Sequence, residues 1–397
     1  MRIAIGQNIG VRSPIAKGAG AKFKTIFTLI LFSASACTAW RRRASTQSGV
    51  GRSGQKGCVL EISLHIGAHR SATTTMQQFL DRNRPTLRQS GVEIWTPERT
   101  RNGLFSGLVE RPEDITEQIE RRGLRSSGLI AIELELLARA GRRQLLISDE
   151  NMIGSTRNNL RQVRLYPLAD ERLLRFRPAF GHRLRRIGLS IRSYDTFWAS
   201  SLAFGIGQGF RMPRTGDLDH YITQPRRWRD LIRDVAAVFP GVDIVVWPFE
   251  RFAGQPETQL AILTDGLRLG VPLTGARDWI NPSPRSDKLR MILSMRGETD
   301  LGYRLTERDG RWMPFDDAQR MALRAQYSVD LDWLRRGADG LARLVDSGAP
   351  VASDRPDHLT AMWSQDVDRD DRTRKGQIMP YVLAEGGRDF VTQEVMV

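Results

Sequence analysis

Five short apolar runs, each separated from the next by a stretch of helical periodicity, constrain this 397-residue chain more than any other feature. They are 59–66 (VLEISLHI), 92–95 (VEIW), 144–148 (QLLIS), 184–191 (LRRIGLSI) and 242–247 (VDIVVW). Strands separated by helices pair in parallel through right-handed crossovers. The predicted fold is therefore α/β, a central parallel sheet flanked by helices. Such sheets take ligands beyond the carboxyl ends of their strands. The intervening helices are expected at 73–90, with Met76, Phe79, Leu80 and Leu87 inward, and at 129–140, 158–176, 194–203 and 226–239. From Pro256 onward the pattern is mostly helical, becoming a polar tail over 351–397.

The net charge of +15 suggests nucleic acid until it is mapped. Residues 1–57 hold ten Lys and Arg and no Asp or Glu, which leaves only +5 for the remainder. No specific nucleic-acid partner is expected. That leader carries an apolar stretch, 25–40 (TIFTLILFSASACTAW), between Lys22 and Lys24 on one side and Arg41, Arg42 and Arg43 on the other. It is short for a spanning helix, which needs roughly 20 apolar residues, and the arginines after it disfavour export. The expectation is a disordered basic extension ahead of a domain over 58–350. A signal peptide and membrane contact or anchoring through 25–40 remain the alternatives.

Both cysteines, Cys37 and Cys58, lie at or before the first apolar run. The domain beyond them has no thiol for a disulfide framework, a cysteine zinc site or a nucleophile. A reducing, cytoplasmic location is expected.

Between the first strand and the first helix runs HIGAHRSATTTMQQFL, 65–80. Small polar residues at a helix start offer backbone N–H groups and the positive end of the dipole, which suit an anion. It is not a Walker A loop, because Gly67 is followed by AHRSATT, without a second glycine or a lysine. The segment resembles the 5′-phosphosulfate loop of bacterial sulfotransferases, HIGxxKTGTTxLQxFL, at His65, Ile66, Gly67, Thr73, Thr74, Gln77, Phe79 and Leu80. Arg70 stands where lysine is usual and Ala72 where glycine is usual. Arginine keeps the charge but presents a planar fork, and alanine fits without strain only at negative φ.

A second segment, IRSYDTFWASSLAFG over 191–205, carries Arg192 and Ser200 at the eight-residue spacing with which sulfotransferases hold a 3′-phosphate. A third, SDENMIG over 148–154, resembles the S-x-E stretch beside the transferred group, where Glu150 would act as base with a raised pKa. His69 and His182 are its rivals. Two weaker likenesses are NPSPRSD, 281–287, and TRKG, 373–376.

The resemblance implies a P-loop-like three-layer sandwich and a sulfotransferase using 3′-phosphoadenosine 5′-phosphosulfate (PAPS). The implied cofactor residues are Gly67, Ala68, His69, Arg70, Ser71, Ala72, Thr73, Thr74, Arg192 and Ser200. Glu150, Arg70 and His69 would be catalytic, no metal would be needed, and the acceptor would offer a hydroxyl or amine on a carbohydrate, lipid or small alcohol. A nucleotide-dependent phosphotransferase using Asp149 for magnesium and a catalytically degenerate nucleotide-binding protein are the competing readings.

Overall fold

The computed structural model describes residues 60–346 except 267–271, 279–282 and 309. The basic leader, the polar tail and the stretch 373–376 lie outside them. The apolar runs become β1 (Glu61–His65), β2 (Val92–Trp95), β3 (Gln144–Ser148), β4 (Leu184–Ile191) and β5 (Asp243–Pro248). With β8 (Arg343–Leu344) they form one six-stranded sheet in the order β2-β3-β1-β4-β5-β8. Every pairing in it is parallel.

Residue parity shows why the strands read as continuous apolar runs. Along β5, Ile244 and Val246 belong to one core and Val245 and Trp247 to the other. Along β3, Leu145 and Ile147 face the first core and Leu146 the second. A strand covered on both faces has no polar side to alternate with. The larger core receives α3 (Glu117–Arg139), α4 (Tyr194–Gly207), α5 (Trp228–Val238) and α6 (Asp317–Arg335) through residues such as Ile130, Phe197, Leu231 and Leu323. The second receives α1 (Thr73–Arg82) through Met76, Phe79 and Leu80, α2 (Arg84–Gln89) through Leu87, and the helix Pro256–Leu263 through Leu260.

Several predicted helices have different bounds, each for a local reason. The span 73–90 breaks at Asn83, whose side-chain amide donates to the Phe79 carbonyl and accepts from the Thr274 N–H, and Pro85 then opens α2. α3 begins twelve residues before the predicted 129, because Thr116 accepts from the Ile119 N–H and caps a polar first half. The stretch 158–176 is not one helix. It divides into Thr156–Gln162 and Ala169–Leu174 and ends at Phe176, the N-cap of Arg177–Phe180, with left-handed backbone at Val163, Tyr166 and Leu168 around Pro167. The small antiparallel pair β6 (Glu307–Arg308) and β7 (Arg311–Trp312) interrupts the helical C-terminal part, where two-residue strands give no sequence pattern.

The connection after β1 leads toward β3 and β2, whereas the one after β4 leads toward β5. Adjacent strands whose connections part in this way open a crevice at their carboxyl ends. The loops 66–72 and 192–193 border it. Among the described residues no helix is long and apolar enough to cross a membrane.

Candidate functional site

β1 does not end at its last ladder residue. The Ile66 N–H donates to the Gly188 carbonyl at 3.1 Å and the Ala68 N–H to the Ser190 carbonyl at 3.1 Å, so β4 carries the chain onward to the loop. Gly67 sits where a Cβ would fall 2.8 Å from His65 Nε2 and 2.9 Å from Thr73 Cγ2, so no larger residue fits. The backbone then turns sharply: Arg70 has φ 64° and Ala72 φ 60°, while Ser71 between them does not share the left-handed region. Alternating backbone hand of this kind makes a concave row of N–H groups.

Ala72 is the N-cap of α1, at φ 60° and ψ 28°, and no side chain caps this helix. Alanine fits this position without strain only at negative φ, and the structure holds it at positive φ: tight closure of the loop imposes the left-handed conformation that glycine adopts freely. An alanine cap and a first turn without acids leave the positive end of α1 facing the crevice. Thr73 is buried and Thr74 half-buried, and neither supplies the cap.

The second predicted segment comes to the same place. Arg192 Nη1 donates to the Arg70 carbonyl at 2.5 Å, across 122 residues of sequence, and Nε donates to Thr196 Oγ1 at 3.0 Å. Its guanidinium lies 4.6 Å from the centre of the Phe249 ring. Burial pushes the Arg192 pKa down to about 10, against Glu250, and the like charges of Arg70 and Arg311 add to the fall. Its backbone is fixed on both sides. The Trp228 indole N–H donates to the Arg192 carbonyl at 2.8 Å, and the next N–H, of Ser193, donates to Glu250 at 2.8 Å. Behind the indole, Tyr194 donates to the buried Asp330 carboxylate at 2.5 Å and accepts from the Trp228 backbone N–H at 2.6 Å.

Arg70 points toward Ser200 rather than along its own loop. Its Nε donates to Ser200 Oγ at 3.0 Å and its Nη2 to Ser283 Oγ at 3.1 Å, while the two hydroxyls lie 2.5 Å apart. Arg70, Arg192 and Ser200 are thus brought together and joined by Ser283, and the charge of Arg311 acts on Arg192. Ser283 belongs to the segment 281–287 that the sequence marked without a role. Nothing in the sequence marks Arg311.

Beside this cluster, β3 ends in a carboxylate pair. Asp149 is fully buried, accepts from Thr100 and from Arg101 at 2.8 Å, and caps its own short turn through the Asn151 N–H at 3.0 Å. Glu150 accepts from Arg101 Nη2 at 3.1 Å and from Gln77 Nε2 at 2.7 Å. Gln77 stands one turn into α1, so the carboxylate is tied to the helix that carries the loop. Burial raises the Glu150 pKa, but Arg101 and His69 overcome it, and the net shift is downward. The raised pKa expected for this residue is therefore corrected: Arg101, which the sequence did not single out, pairs with both acids and holds Glu150 ionised.

His69 is 6% exposed and held at three points. Its backbone N–H donates to the Tyr166 hydroxyl at 2.7 Å and Nδ1 lies 3.1 Å from that hydroxyl. With the Asn151 amide oriented so that its oxygen faces Arg101 at 3.3 Å, its nitrogen donates to His69 Nε2 at 3.0 Å. His182 does not join the site, because it precedes β4 and so lies at the amino-terminal edge of the sheet. His65, under the loop, bonds Ser148 Oγ at 2.8 Å and stacks on Trp247, and burial pushes its pKa down to about 4 against the nearby Glu150.

Among the described residues no group of three or more His, Cys, Asp and Glu could hold a metal ion. Both oxygens of Asp149, which the phosphotransferase reading needs, are taken by Thr100, Arg101 and the Asn151 N–H. Compared with family models, with curated proteins and with solved structures, the chain finds no match.

Proposed function

We propose that this chain is a sulfotransferase that moves the sulfuryl group of PAPS to a hydroxyl or amine of an acceptor. The observation that carries the reading is the contact of Arg192 with the Arg70 carbonyl, which joins two anion-binding segments that the sequence resemblance identifies separately. The strand order β2-β3-β1-β4-β5, with an anion-type loop after β1, agrees with a P-loop-like sandwich.

The residues present fit two anionic groups. Toward α1, the alternating backbone of 70–72 and the uncapped helix start at Ala72, Thr73 and Thr74 suit the 5′-phosphosulfate, whereas the N–H groups of Ala68, His69 and Ser71, expected among the donors, are taken by the Ser190 carbonyl, the Tyr166 hydroxyl and the Ala68 carbonyl. Toward β4, Arg192, Ser200, Ser283 and the guanidinium of Arg70 suit the 3′-phosphate. The buried Arg192, repelled by Arg70 and by Arg311, is stabilised by a multiply charged anion. Bound PAPS would supply an activated sulfuryl group. The chain's own groups hold that end in line with the acceptor and stabilise charge on the departing phosphate through preorganised donors. Glu150, kept ionised by Arg101 and made a weaker base by it, is the candidate for the acceptor's proton, and His69 is the rival for that step.

A second reading, a nucleotide-binding protein without turnover, is favoured by Ala72, whose strained φ marks a departure from the glycine of the resemblance. Incubation of the protein with PAPS and panels of sugar, lipid and small-alcohol acceptors separates the two. Acceptor-dependent release of 3′-phosphoadenosine 5′-phosphate supports the transferase, and tight binding with no release across the panels supports the silent binder.

A further inference from the structure

α3 packs through Gly123, Ser126, Ile130 and Leu134, with Leu137 and Ala138 half-buried against the core, and turns a broad opposite side outward. The outward side is not simply polar. Leu124 is 67% exposed, Ile132 60% and Leu136 58%. Exposed apolar residues clustered on one helix face mark an interaction surface.

The order of residues along that face identifies the occupant. Glu117, Arg121, Leu124, Gly128, Ile132, Glu135 and Arg139 follow one another at intervals of four, three, four, four, three and four. That spacing keeps all seven on one stripe of the helix. The stripe is symmetric about Gly128. Four residues to either side stand Leu124 and Ile132, seven to either side Arg121 and Glu135, and eleven to either side Glu117 and Arg139. A two-fold axis through Gly128 would set an identical antiparallel helix so that each residue meets the one equidistant on the other side. Leucine then meets isoleucine, Arg121 meets Glu135, and Glu117 meets Arg139.

We infer that this chain associates with a second copy of itself through α3, antiparallel, with Gly128 on the axis. Isologous contacts require a self-complementary patch, and this stripe is one in apolar character and in charge. Within a single chain, Arg121 lies 3.7 Å from Glu117 and Glu135 lies 3.2 Å from Arg139, so the charges already stand as two i,i+4 pairs that association closes into a network. Glu135 also pairs with Arg183 at 3.0 Å, which holds it at the rim. A Cβ at Gly128 meets nothing within 4 Å in the monomer, so the glycine is not required by its own chain. At the axis its missing side chain lets two helices approach closely. One helix face is smaller than the roughly 800 Å² per partner of a standard interface, so association depends on concentration.

Sedimentation of the full chain across a wide concentration range tests this. The expected result is a monomer–dimer equilibrium. Gly128→Arg puts two like charges on the axis while improving helix propensity, so it should keep or raise thermal stability and shift the dimer's midpoint concentration upward by tenfold or more. Glu117→Arg and Arg139→Glu should each weaken association, and the double exchange should restore it. A monomer at every concentration, a dimer indifferent to Gly128→Arg, or a double exchange no better than the singles overturns the proposal. A monomeric protein that co-sediments with anionic phospholipid vesicles through this face also overturns it, in favour of a membrane surface.

Discussion

Ala72→Gly should stabilise this protein, against the usual direction of an alanine-to-glycine change. In an ordinary helix position glycine costs about 0.8 to 1 kcal/mol relative to alanine, and it also widens the unfolded ensemble. At φ 60° and ψ 28°, however, the Ala72 Cβ crowds its own backbone, which costs an L residue about 1 to 2 kcal/mol. Removing that crowding outweighs the unfolded-state term of about 0.4 to 1 kcal/mol, and the net gain is about 0.5 to 1 kcal/mol. For a domain of this size that is a rise of about 1 to 2 °C in the unfolding midpoint. Gly67→Ala, five residues earlier, should do the reverse. Its methyl would fall 2.8 Å from His65 Nε2 and 2.9 Å from Thr73 Cγ2, and overpacking of that kind costs about 1 to 3 kcal/mol. Urea unfolding at pH 7.5 of the wild type and both variants measures the two signs. A lower midpoint for Ala72→Gly, or an unchanged one for Gly67→Ala, would refute the loop geometry from which both follow.

Glu150→Gln should leave nucleotide binding nearly intact and lower turnover by about 10² to 10⁴-fold, the range of a lost general base. Because Arg101 keeps Glu150 ionised, turnover in the wild type should stay flat from pH 8 to 5; a rate that falls within that range and is abolished by His69→Ala would move the base to His69. His65 contributes a pH-dependent stability of its own. Its folded pKa of about 4 lies below the unfolded value of 6.5, so the contribution is fully present above pH 6.5 and is lost as pH falls toward 4, by about 3 kcal/mol in all. Urea unfolding between pH 7 and 4.5 should show that loss, and His65→Asn should flatten it; parallel profiles for the two proteins would refute the assignment.

The sheet was legible because β3 and β5 are buried on both faces and read as apolar runs, and the other strands keep short apolar stretches between helical segments. The strand of the six-stranded sheet that was missed, Arg343–Leu344, has two residues and no pattern to offer, as have β6 and β7. α3 was half hidden, since Gly123, Gly128 and a run of exposed charges dilute the periodicity of its first three turns. Of the site, the loop after β1 and Arg192 with Ser200 were legible because each lies within a short contiguous segment. Ser283 was flagged without a role, and Arg101 and Arg311 were not flagged at all. They reach the crevice from distant elements, and a contact such as Arg70 to Ser283, spanning 213 residues, leaves no spacing to read. The misjudged charge state of Glu150 has the same origin, because the residue that decides it is Arg101, 49 positions away.

The proposed function requires the crevice between β1 and β4 to hold a nucleotide by its 3′-phosphate as well as its 5′ end. Thermal unfolding of the protein with 3′-phosphoadenosine 5′-phosphate and with AMP, at equal concentrations, tests it most directly. A ligand at a hundredfold excess over its dissociation constant stabilises the native state by about 2.7 kcal/mol. The bisphosphate should therefore raise the midpoint well above AMP, and Arg192→Ala should erase the difference between them. Equal shifts with the two nucleotides, or a difference that survives Arg192→Ala, would contradict the account.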